Sequence, residues 1–148
     1  MSPEGAFCYE YPRPAVTVDI VVFRGEGRDL EILLIRRKNE PFCGTWAFPG
    51  GFVEIDEPLE LAAVRELEEE TGLKAVGLRQ LGAFGAPGRD PRGRTISVAY
   101  FGVTGSEQMV MSGDDAENAA WFPADHPPEL AFDHAEMLAA ARQQVRSV

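Results

Sequence analysis

The sequence predicts an α/β fold in which a mixed β-sheet lies between helical layers. Segments rich in β-branched residues recur along the chain, and only two segments carry strong helix signals. The 148 residues suit one domain with one core, because a chain of this length can bury roughly 68–70% of the surface that it exposes when unfolded. We therefore expect a single domain over residues 1–148, in which residues 1–13 form an irregular N-terminal arm.

The first strands are predicted to form a hairpin. Residues 15–23 (AVTVDIVVF) and 31–37 (EILLIRR) are rich in branched aliphatic side chains, and residues 24–29 between them contain two glycines. A short apolar segment follows at residues 45–48, and the sequence Pro-Gly-Gly at 49–51 is predicted to end it.

The two helices are predicted from their terminal residues. In the first, residues 58–71, a proline suits the first helical position because its missing N–H costs nothing there. Gly72 suits the position after the helix, where a left-handed backbone is favoured. The second helix is predicted from His134 to about residue 145, with Asp133 and Glu136 as a capping box.

The remaining strands are predicted in the second half of the chain. Residues 75–84 and 95–103 have strand composition, and a long loop at 85–94 (GAPGRDPRGR) joins them. Residues 119–122 are predicted to form one further short strand.

Charge and composition exclude several classes of function. The formal net charge of −10 opposes binding to nucleic acid or to an anionic membrane surface. It does not oppose an anionic small substrate, because divalent cations can lie between carboxylates and phosphates. No apolar run approaches the ~20 residues of a membrane helix, and the N-terminus has no signal-peptide pattern. With Cys8 and Cys43 as buried or idle thiols, we expect a cytoplasmic protein.

Three glutamates converge on one side of the first helix. On a wheel of ~100° per residue, Glu66, Glu69 and Glu70 span an arc of only about 100°. Ala62 and Ala63 lie on the same arc and leave space beside the carboxylates. A separate stripe is expected to face the core; it comprises Leu61, Val64, Leu67 and Thr71.

Such a group of carboxylates is unfavourable unless a cation accompanies it. Like charges three or four positions apart destabilise an exposed helix by about a few tenths of a kcal/mol per pair. Magnesium reverses that effect, because it takes oxygen ligands from carboxylates, waters and phosphates. Arg65 can pair with Glu69 or with Glu57 and so hold the ligands in place. The alternative for three glutamates alone is a solvated acidic helix face.

The wider spacing removes that alternative. Residues 51–73 match the pattern G-x5-E-x7-R-E-U-x-E-E-x-G-U at all of its nine fixed positions, where U is a bulky aliphatic residue. These positions are Gly51, Glu57, Arg65, Glu66, Leu67, Glu69, Glu70, Gly72 and Leu73. The pattern is the Nudix box, and the chain therefore resembles the Nudix hydrolases.

The resemblance implies a fold, an activity and a ligand set. The implied fold is an α/β/α sandwich with a central mixed sheet, in which the box forms a loop–helix–loop catalytic motif. The implied activity is the metal-dependent hydrolysis of a nucleoside diphosphate linked to another group, with Mg²⁺ or its substitute Mn²⁺. The implied metal ligands are Glu66, Glu69, Glu70 and the carbonyl of Gly50.

The resemblance also implies supporting roles around that motif. Glu57, Arg65 and Gly51 would support the ligands, and a carboxylate outside the helix would help to take a proton from water. The acidic stretch 113–117 supplies candidates for that proton acceptor, of which Glu117 is preferred and Asp115 is second. The alternative is that this stretch is merely an acidic loop.

A looser resemblance covers roughly residues 12–140. The stretches YPRPAVTVDIVVF, GTWAFPGGFV, GRDPRGRTISVAYFG and LAFDHAEML are similar to those of ADP-ribose pyrophosphatases. This resemblance implies hydrolysis of ADP-ribose, a small-molecule nucleotide substrate, to AMP and ribose 5-phosphate, often by a homodimer.

Arginines are the expected substrate-binding residues, because a guanidinium matches the geometry of phosphate. Arg89 and Arg92 lie in the loop at 85–94, where the alternative is salt bridges with Asp90 or with the acidic surface. Arg37 lies at a strand end with Arg36 and Lys38, where solvated charges are the alternative.

Several other residues invite a functional interpretation that we do not favour. The aromatic rings of Tyr11, Phe42 and Trp46 are expected to pack in the core or at an interface rather than to stack on adenine. His134 is expected to begin a helix rather than to act in catalysis, since no partner pattern surrounds it.

Two other functions remain open from the sequence. One is hydrolysis of a different nucleotide, such as NADH or a damaged nucleoside triphosphate. The other is an ADP-ribose-sensing transcription regulator, whose DNA-binding domain would follow the Nudix domain. The intact box, the acidic charge and the end of the chain at Val148 oppose the regulator.

Overall fold

A seven-stranded mixed sheet with one helix on each face forms the framework of the protein. The computed structural model describes residues 7–105, 110 and 116–146. Its elements are β1 (Ala15–Arg24), a 3₁₀ turn (Gly27–Asp29), β2 (Glu31–Arg37), β3 (Trp46–Ala47), β4 (Gly50–Phe52), α1 (Leu59–Thr71), β5 (Arg79–Phe84), β6 (Thr95–Val103), β7 (Ala116–Pro123) and α2 (His134–Arg146).

Strand pairing makes the sheet mixed, as the sequence predicts. The main path runs in the order β3-β2-β1-β6-β5, with β4 also pairing with β1 and β7 with β2. Strands β1 and β6 are parallel over nine consecutive pairs, from Ala15 opposite Thr95 to Phe23 opposite Val103. The predicted hairpin of β1 and β2 is confirmed as an antiparallel pair.

Alternation along β1 divides the core between the two faces of the sheet. Val18, Ile20 and Val22 pack with α1, whereas Val21 and Phe23 pack with α2. Because successive side chains of a strand point to opposite faces, the two helices lie on opposite sides of the sheet. The α/β/α sandwich is therefore confirmed.

The predicted core stripe of α1 is wrong in half of its members. Leu67 and Thr71 are buried, but Leu61 and Val64 are 60% and 45% exposed. The helix instead turns the arc that carries the glutamates towards the sheet, where Ala62 and Ala63 are fully buried. Small side chains let a helix approach a sheet closely, so burial does not follow the largest apolar residues.

The ends of α1 follow the predicted chemistry with a shift of one residue. Pro58 precedes the helix rather than beginning it, with φ −62° and ψ 148°, and its carbonyl accepts the N–H of Ala62. Gly72 has φ 77° and ends the helix in the predicted left-handed conformation.

Other boundaries differ for tertiary reasons. β5 begins at Arg79 rather than Ala75, whose φ of 58° is incompatible with a strand. β7 is longer than predicted because its backbone pairs with β2 from Glu31 to Arg37. The two glycines at 50–51 do not merely end a strand, since they pair with β1 as β4.

The predicted capping box of α2 is replaced by an ion pair. Both carboxylate oxygens of Asp133 accept hydrogen bonds from Arg89, at 2.9 and 2.6 Å. The backbone carbonyl of Asp133 accepts the N–H of Met137 and so begins the helix. The Asp133 carboxylate, which the sequence predicts to cap the helix, therefore pairs with Arg89 of the 85–94 loop, because a charged donor forms the stronger hydrogen bonds.

The two cysteines that the sequence predicts to be buried or idle, Cys8 and Cys43, are both exposed. Within the described ranges, no helix has the length and apolar character that crossing a membrane requires.

The glycine at position 102 is predicted to be essential for packing in β6. A Cβ there would lie 2.6 Å from the backbone oxygen of Gly77 and 3.0 Å from a side-chain carbon of Val76. Gly102→Ala is expected to lower the free energy of unfolding by about 1–3 kcal/mol through overpacking. Gly77→Ala is the matched control, because its Cβ would meet nothing within 4 Å. Equal urea-unfolding midpoints for the two variants would contradict this account of the packing.

Candidate active site

A cleft of about 440 Å³ lies where β1, β4, α1, the 85–94 loop and the start of α2 meet. Carboxylates of α1 line one wall, which we call the acidic wall: Glu66, Glu69 and Glu70. Guanidinium groups from other elements also line the cleft, and we call them the arginine wall: Arg37, Arg89 and Arg92. The predicted metal ligands, which include Gly50, and the predicted substrate-binding arginines all border this cleft.

The acidic wall is buried at its centre and exposed at its rim. Glu66 and Glu70 are 9% and 7% exposed, whereas the Glu69 side chain is 56% exposed. Backbone of the 50–51 glycines lies directly against this wall. A Cβ on Gly51 would lie 2.5 Å from a carboxylate oxygen of Glu66, so a side chain at that position would displace the carboxylate.

Glu70 is the least satisfied group of the acidic wall. Its Oε2 is buried and has no hydrogen-bond partner. Burial, the charge of Glu66 and the charge of Asp19 raise the pKa of Glu70 to about 9, although a hydrogen bond with the Gly50 backbone works in the other direction. Burial also raises the pKa of Glu66. A buried oxygen with no partner is the observation that indicates a ligand for this wall.

Arg65 ties the acidic wall to the loop that precedes it. Its guanidinium donates to Glu57 at 2.6 and 2.8 Å, to Glu66 at 2.8 Å and to Glu69 at 3.2 Å. The two pairings considered from the sequence therefore coexist. The hydrogen bonds with Glu57 are the main cause that raises the pKa of Arg65, so the group stays charged and fixed.

A polar network behind Glu70 was not singled out from the sequence. Asp19 of β1 is buried, accepts a hydrogen bond from Ser97 of β6, and lies 3.5 Å from Nε2 of His134. The other ring nitrogen of His134 accepts the backbone N–H of Phe48 at 3.1 Å, which places the imidazole proton on the side of Asp19.

The charge of Asp19 survives its burial. Burial alone would raise the pKa of this carboxyl, but its interactions with His134 and the hydrogen bond of Ser97 outweigh burial and lower the pKa. A single charged residue within the apolar run AVTVDIVVF was the available sequence signal. His134 does begin α2, as predicted, and it also borders the cleft.

The arginine wall is partly neutralised by its own carboxylates. Arg89 pairs with Asp133 and Arg92 pairs with Asp90, with shortest N–O distances of 2.6 and 2.7 Å. Arg37 differs, because its Nε donates to the backbone carbonyl of Pro41 at 2.7 Å and no carboxylate of the described residues pairs with it. Burial and the charge of Arg92 lower the pKa of Arg37, and they outweigh the charges of nearby carboxylates, which would raise it.

Of the three aromatic residues expected to pack in the core or at an interface, Trp46 and Phe42 contact other rings, whereas Tyr11 does not lie in the core. The rings of Trp46 and Phe122 meet edge to face at 4.7 Å, and Phe42 meets Phe132 in the same way at 4.8 Å. Tyr11 is 73% exposed. Among these rings only Phe132 borders the cleft.

The side chains of the predicted proton acceptors lie outside the described residues. Asp115 lies outside the described residues, and so does the side chain of Glu117, whose backbone belongs to β7. Of the two charged neighbours of Arg37, Lys38 borders the cleft, whereas Arg36 donates to the backbone carbonyl of Gly44.

The acidic wall fits a hard divalent cation by its chemistry. All its donors are carboxylate oxygens, the ligands that Mg²⁺ and Mn²⁺ prefer, and Glu70 Oε2 is buried without a partner. Over residues 7–105, 110 and 116–146, no three acidic, histidine or cysteine side chains already surround one point. Arg65 accounts for this in part, since it holds the carboxylates of Glu66 and Glu69 in ion pairs.

Comparison with known proteins identifies the family of this chain. The NUDIX domain model matches residues 13–141. An ADP-ribose pyrophosphatase of Methanocaldococcus jannaschii is 46% identical over 129 residues, which are 86% of this chain and 73% of that protein. The ADPR responsive transcriptional repressor NtrR of Acinetobacter baylyi is 37% identical over 136 residues, which are 89% of this chain and 54% of the repressor.

A solved structure extends the comparison to three dimensions. The NUDIX domain of Shewanella oneidensis NrtR, crystallised with ADP ribose, has a TM-score of 0.83 and 32% identity. The match covers 96% of this chain and 95% of that one. The family model, the relatives and the fold coincide with an intact box on the acidic wall, and the chain therefore belongs to the Nudix family and is a Nudix hydrolase.

Proposed function

We propose that this hydrolase cleaves ADP-ribose to AMP and ribose 5-phosphate in a magnesium-dependent reaction. The observation that carries the proposal is that carboxylates and guanidinium groups border one cleft, close enough for the charge of Glu70 to act on Arg37. One buried carboxylate oxygen there has no partner, and a diphosphate bridged by a cation complements both sets of charges. The pyrophosphatase at 46% identity supports ADP-ribose as the substrate.

The acidic wall would hold the cation. Glu66, Glu69, Glu70 and the carbonyl of Gly50 are the proposed ligands, for Mg²⁺ or its substitute Mn²⁺. A bound divalent cation supplies neutralisation of the diphosphate charge and activation of water. Glu57, Arg65 and Gly51 position the Glu66 carboxylate, the first two through ion pairs and the third by leaving room for it.

The arginine wall would hold the diphosphate. Arg37 has two guanidinium nitrogens beyond its bond to Pro41 and no carboxylate partner among the described residues, so it is the proposed phosphate anchor. Arg89 and Arg92 add positive charge beside it, reduced by Asp133 and Asp90. The proposed role of the Arg89 and Arg92 charges is to orient the bound diphosphate rather than to attract the substrate from a distance.

A carboxylate from β7 or the segment before it is the proposed proton acceptor. Glu117 is preferred and Asp115 is second. Support comes from the register of β7, in which Ala116 lies opposite Arg37 and so brings this backbone to the border of the cleft.

We also propose a cytoplasmic homodimer. Support for the dimer comes from the outer face of α1 and the loop before it, where Ile55, Leu61 and Val64 expose apolar surface. Support for the location comes from the low cysteine content, two residues in 148, which suits a reducing compartment. Sedimentation of the purified chain as a monomer at micromolar concentration would contradict the dimer.

A substrate panel tests the proposed reaction. With Mg²⁺ present, ADP-ribose is expected to release AMP faster than NADH and damaged nucleoside triphosphates release their products, as followed by chromatography. Chelation is expected to stop turnover, and Mg²⁺ or Mn²⁺ to restore it. Preference for another nucleotide would contradict ADP-ribose as the substrate but would remain consistent with a Nudix hydrolase.

The same panel tests a second candidate, an ADP-ribose sensor. The repressor sequence and the NrtR domain structure favour it, because both resemble this chain over most of its length. A sensor would bind ADP-ribose, detected by calorimetry, without releasing AMP.

Replacement of Glu70 tests the acidic wall. Glu70→Gln is expected to lower kcat by about 100-fold or more, because it removes a ligand charge. The fold is expected to persist, since glutamine replaces a carboxyl of nearly the same volume. Glu68→Gln is the matched control on the same helix, where the exposed carboxylate pairs with Lys74 at 3.4 Å. Near-normal kcat for the Glu70 variant would overturn the ligand assignment.

A further inference from the structure

Phe132 has an unusual backbone conformation at the border of the cleft. Its φ is 53°, a left-handed value that residues other than glycine rarely adopt. Its neighbours hold it there, because the N–H of Ala131 donates to the carbonyl of Trp46 and the carboxylate of Asp133 pairs with Arg89. Strained conformations that the surrounding structure enforces are concentrated at functional sites.

The ring of Phe132 lies within reach of all three cations of the arginine wall. The guanidinium carbons of Arg37, Arg92 and Arg89 are 4.9, 5.7 and 6.0 Å from its centroid. Cations within about 6 Å of an aromatic centroid are attracted by the negative face of the ring.

These three cations come from two segments of the chain, and such a partner offsets the repulsion between them. Arg37 ends β2, whereas Arg89 and Arg92 belong to the 85–94 loop. The neighbouring charge of Arg92 is one cause that lowers the pKa of Arg37, although the charges of nearby carboxylates act in the other direction. Arg89 and Arg92 form ion pairs with carboxylates, whereas no carboxylate of the described residues forms an ion pair with Arg37.

The ring itself is fixed from behind. It meets Phe42 edge to face at 4.8 Å and lies 5.5 Å from the imidazole of His134. His134 also contacts Asp19, so the same imidazole links the ring of Phe132 to the carboxylate whose charge acts on Glu70.

We infer that Phe132 is a positioning residue whose ring holds the three arginines together over the cleft and thereby sets its affinity for a diphosphate. The ring acts through the guanidinium groups rather than on the reacting atoms. The inference rests on the proposed function only in assigning a diphosphate to this cleft, and it is independent of which nucleoside the substrate carries.

Fluorination of the ring tests the inference with little change in shape. Replacing Phe132 by trifluorinated phenylalanine withdraws electron density from the ring face and so weakens its attraction for cations. Binding of magnesium pyrophosphate, measured by calorimetry, is expected to weaken by about three- to tenfold. Phe132→Leu is expected to weaken pyrophosphate binding at least as much. Phe132→Tyr keeps an aromatic face and is expected to bind pyrophosphate as the wild type does.

Two matched variants separate positioning from folding. Phe122→Leu removes an aromatic ring that packs on Trp46 outside the cleft, and its pyrophosphate affinity is expected to equal that of the wild type. In an Arg37→Gln background, the effect of fluorination is expected to shrink, since one of the three cations is absent. Thermal unfolding of each variant checks that the fold is intact.

The outcomes are distinguishable from those of the substrate panel. Unchanged pyrophosphate affinity after fluorination would overturn the inference, whether or not Phe132→Leu folds. Weakened binding of AMP with unchanged binding of pyrophosphate would show that the ring stacks on a base, which also overturns it. Failure of the chain to hydrolyse ADP-ribose would contradict the proposed function and leave the pyrophosphate result interpretable.

Discussion

Electrostatic repulsion among buried carboxylates is the constraint on which the rest of this site depends. Glu70 of α1 lies close to Glu66 and to Asp19 of β1, whose charges raise its pKa, and all three carboxylates are largely buried. Arg65 compensates Glu66, and His134 with Ser97 compensates Asp19. No such group compensates Glu70, whose Oε2 has no hydrogen-bond partner. Burial raises the pKa of Glu70 to about 9, so this carboxyl binds a proton when no cation is present. The repulsion among these carboxylates does not stabilise the fold. It is explained by a bound cation, which makes the electrostatic energy of the group favourable.

The packing of the fold is adapted to that arrangement. Ala62 and Ala63 let the glutamate-bearing face of α1 approach the sheet, while larger apolar residues of the helix remain outside. Gly51 lies against the Glu66 carboxylate, which a side chain at that position would displace. α2 begins at His134, which borders the cleft, so the helix that packs on the opposite face of the sheet from α1 also supports the site.

Local spacing made some of the site predictable, and long-range contacts made the rest invisible. The convergence of Glu66 and Glu70 follows from helical periodicity alone, and the ends of α1 follow from Pro58 and Gly72. Which face of α1 meets the sheet depends on its partner, so Leu61 and Val64 were assigned to the core incorrectly. Asp19 and His134 are far apart in sequence, and only the folded sheet brings them together. The strained backbone of Phe132 leaves no sequence signal.

Calorimetric titration of the metal-free protein with Mg²⁺, in two buffers of different ionisation enthalpy, tests the central claim most directly. At pH 7 the raised pKa keeps Glu70 protonated, so a cation that binds there must displace that proton. The account predicts binding with release of about one proton per chain at pH 7, declining as the pH passes the raised pKa, and lost in Glu70→Gln. Absence of binding, or binding without proton release that the glutamine variant retains, would contradict it.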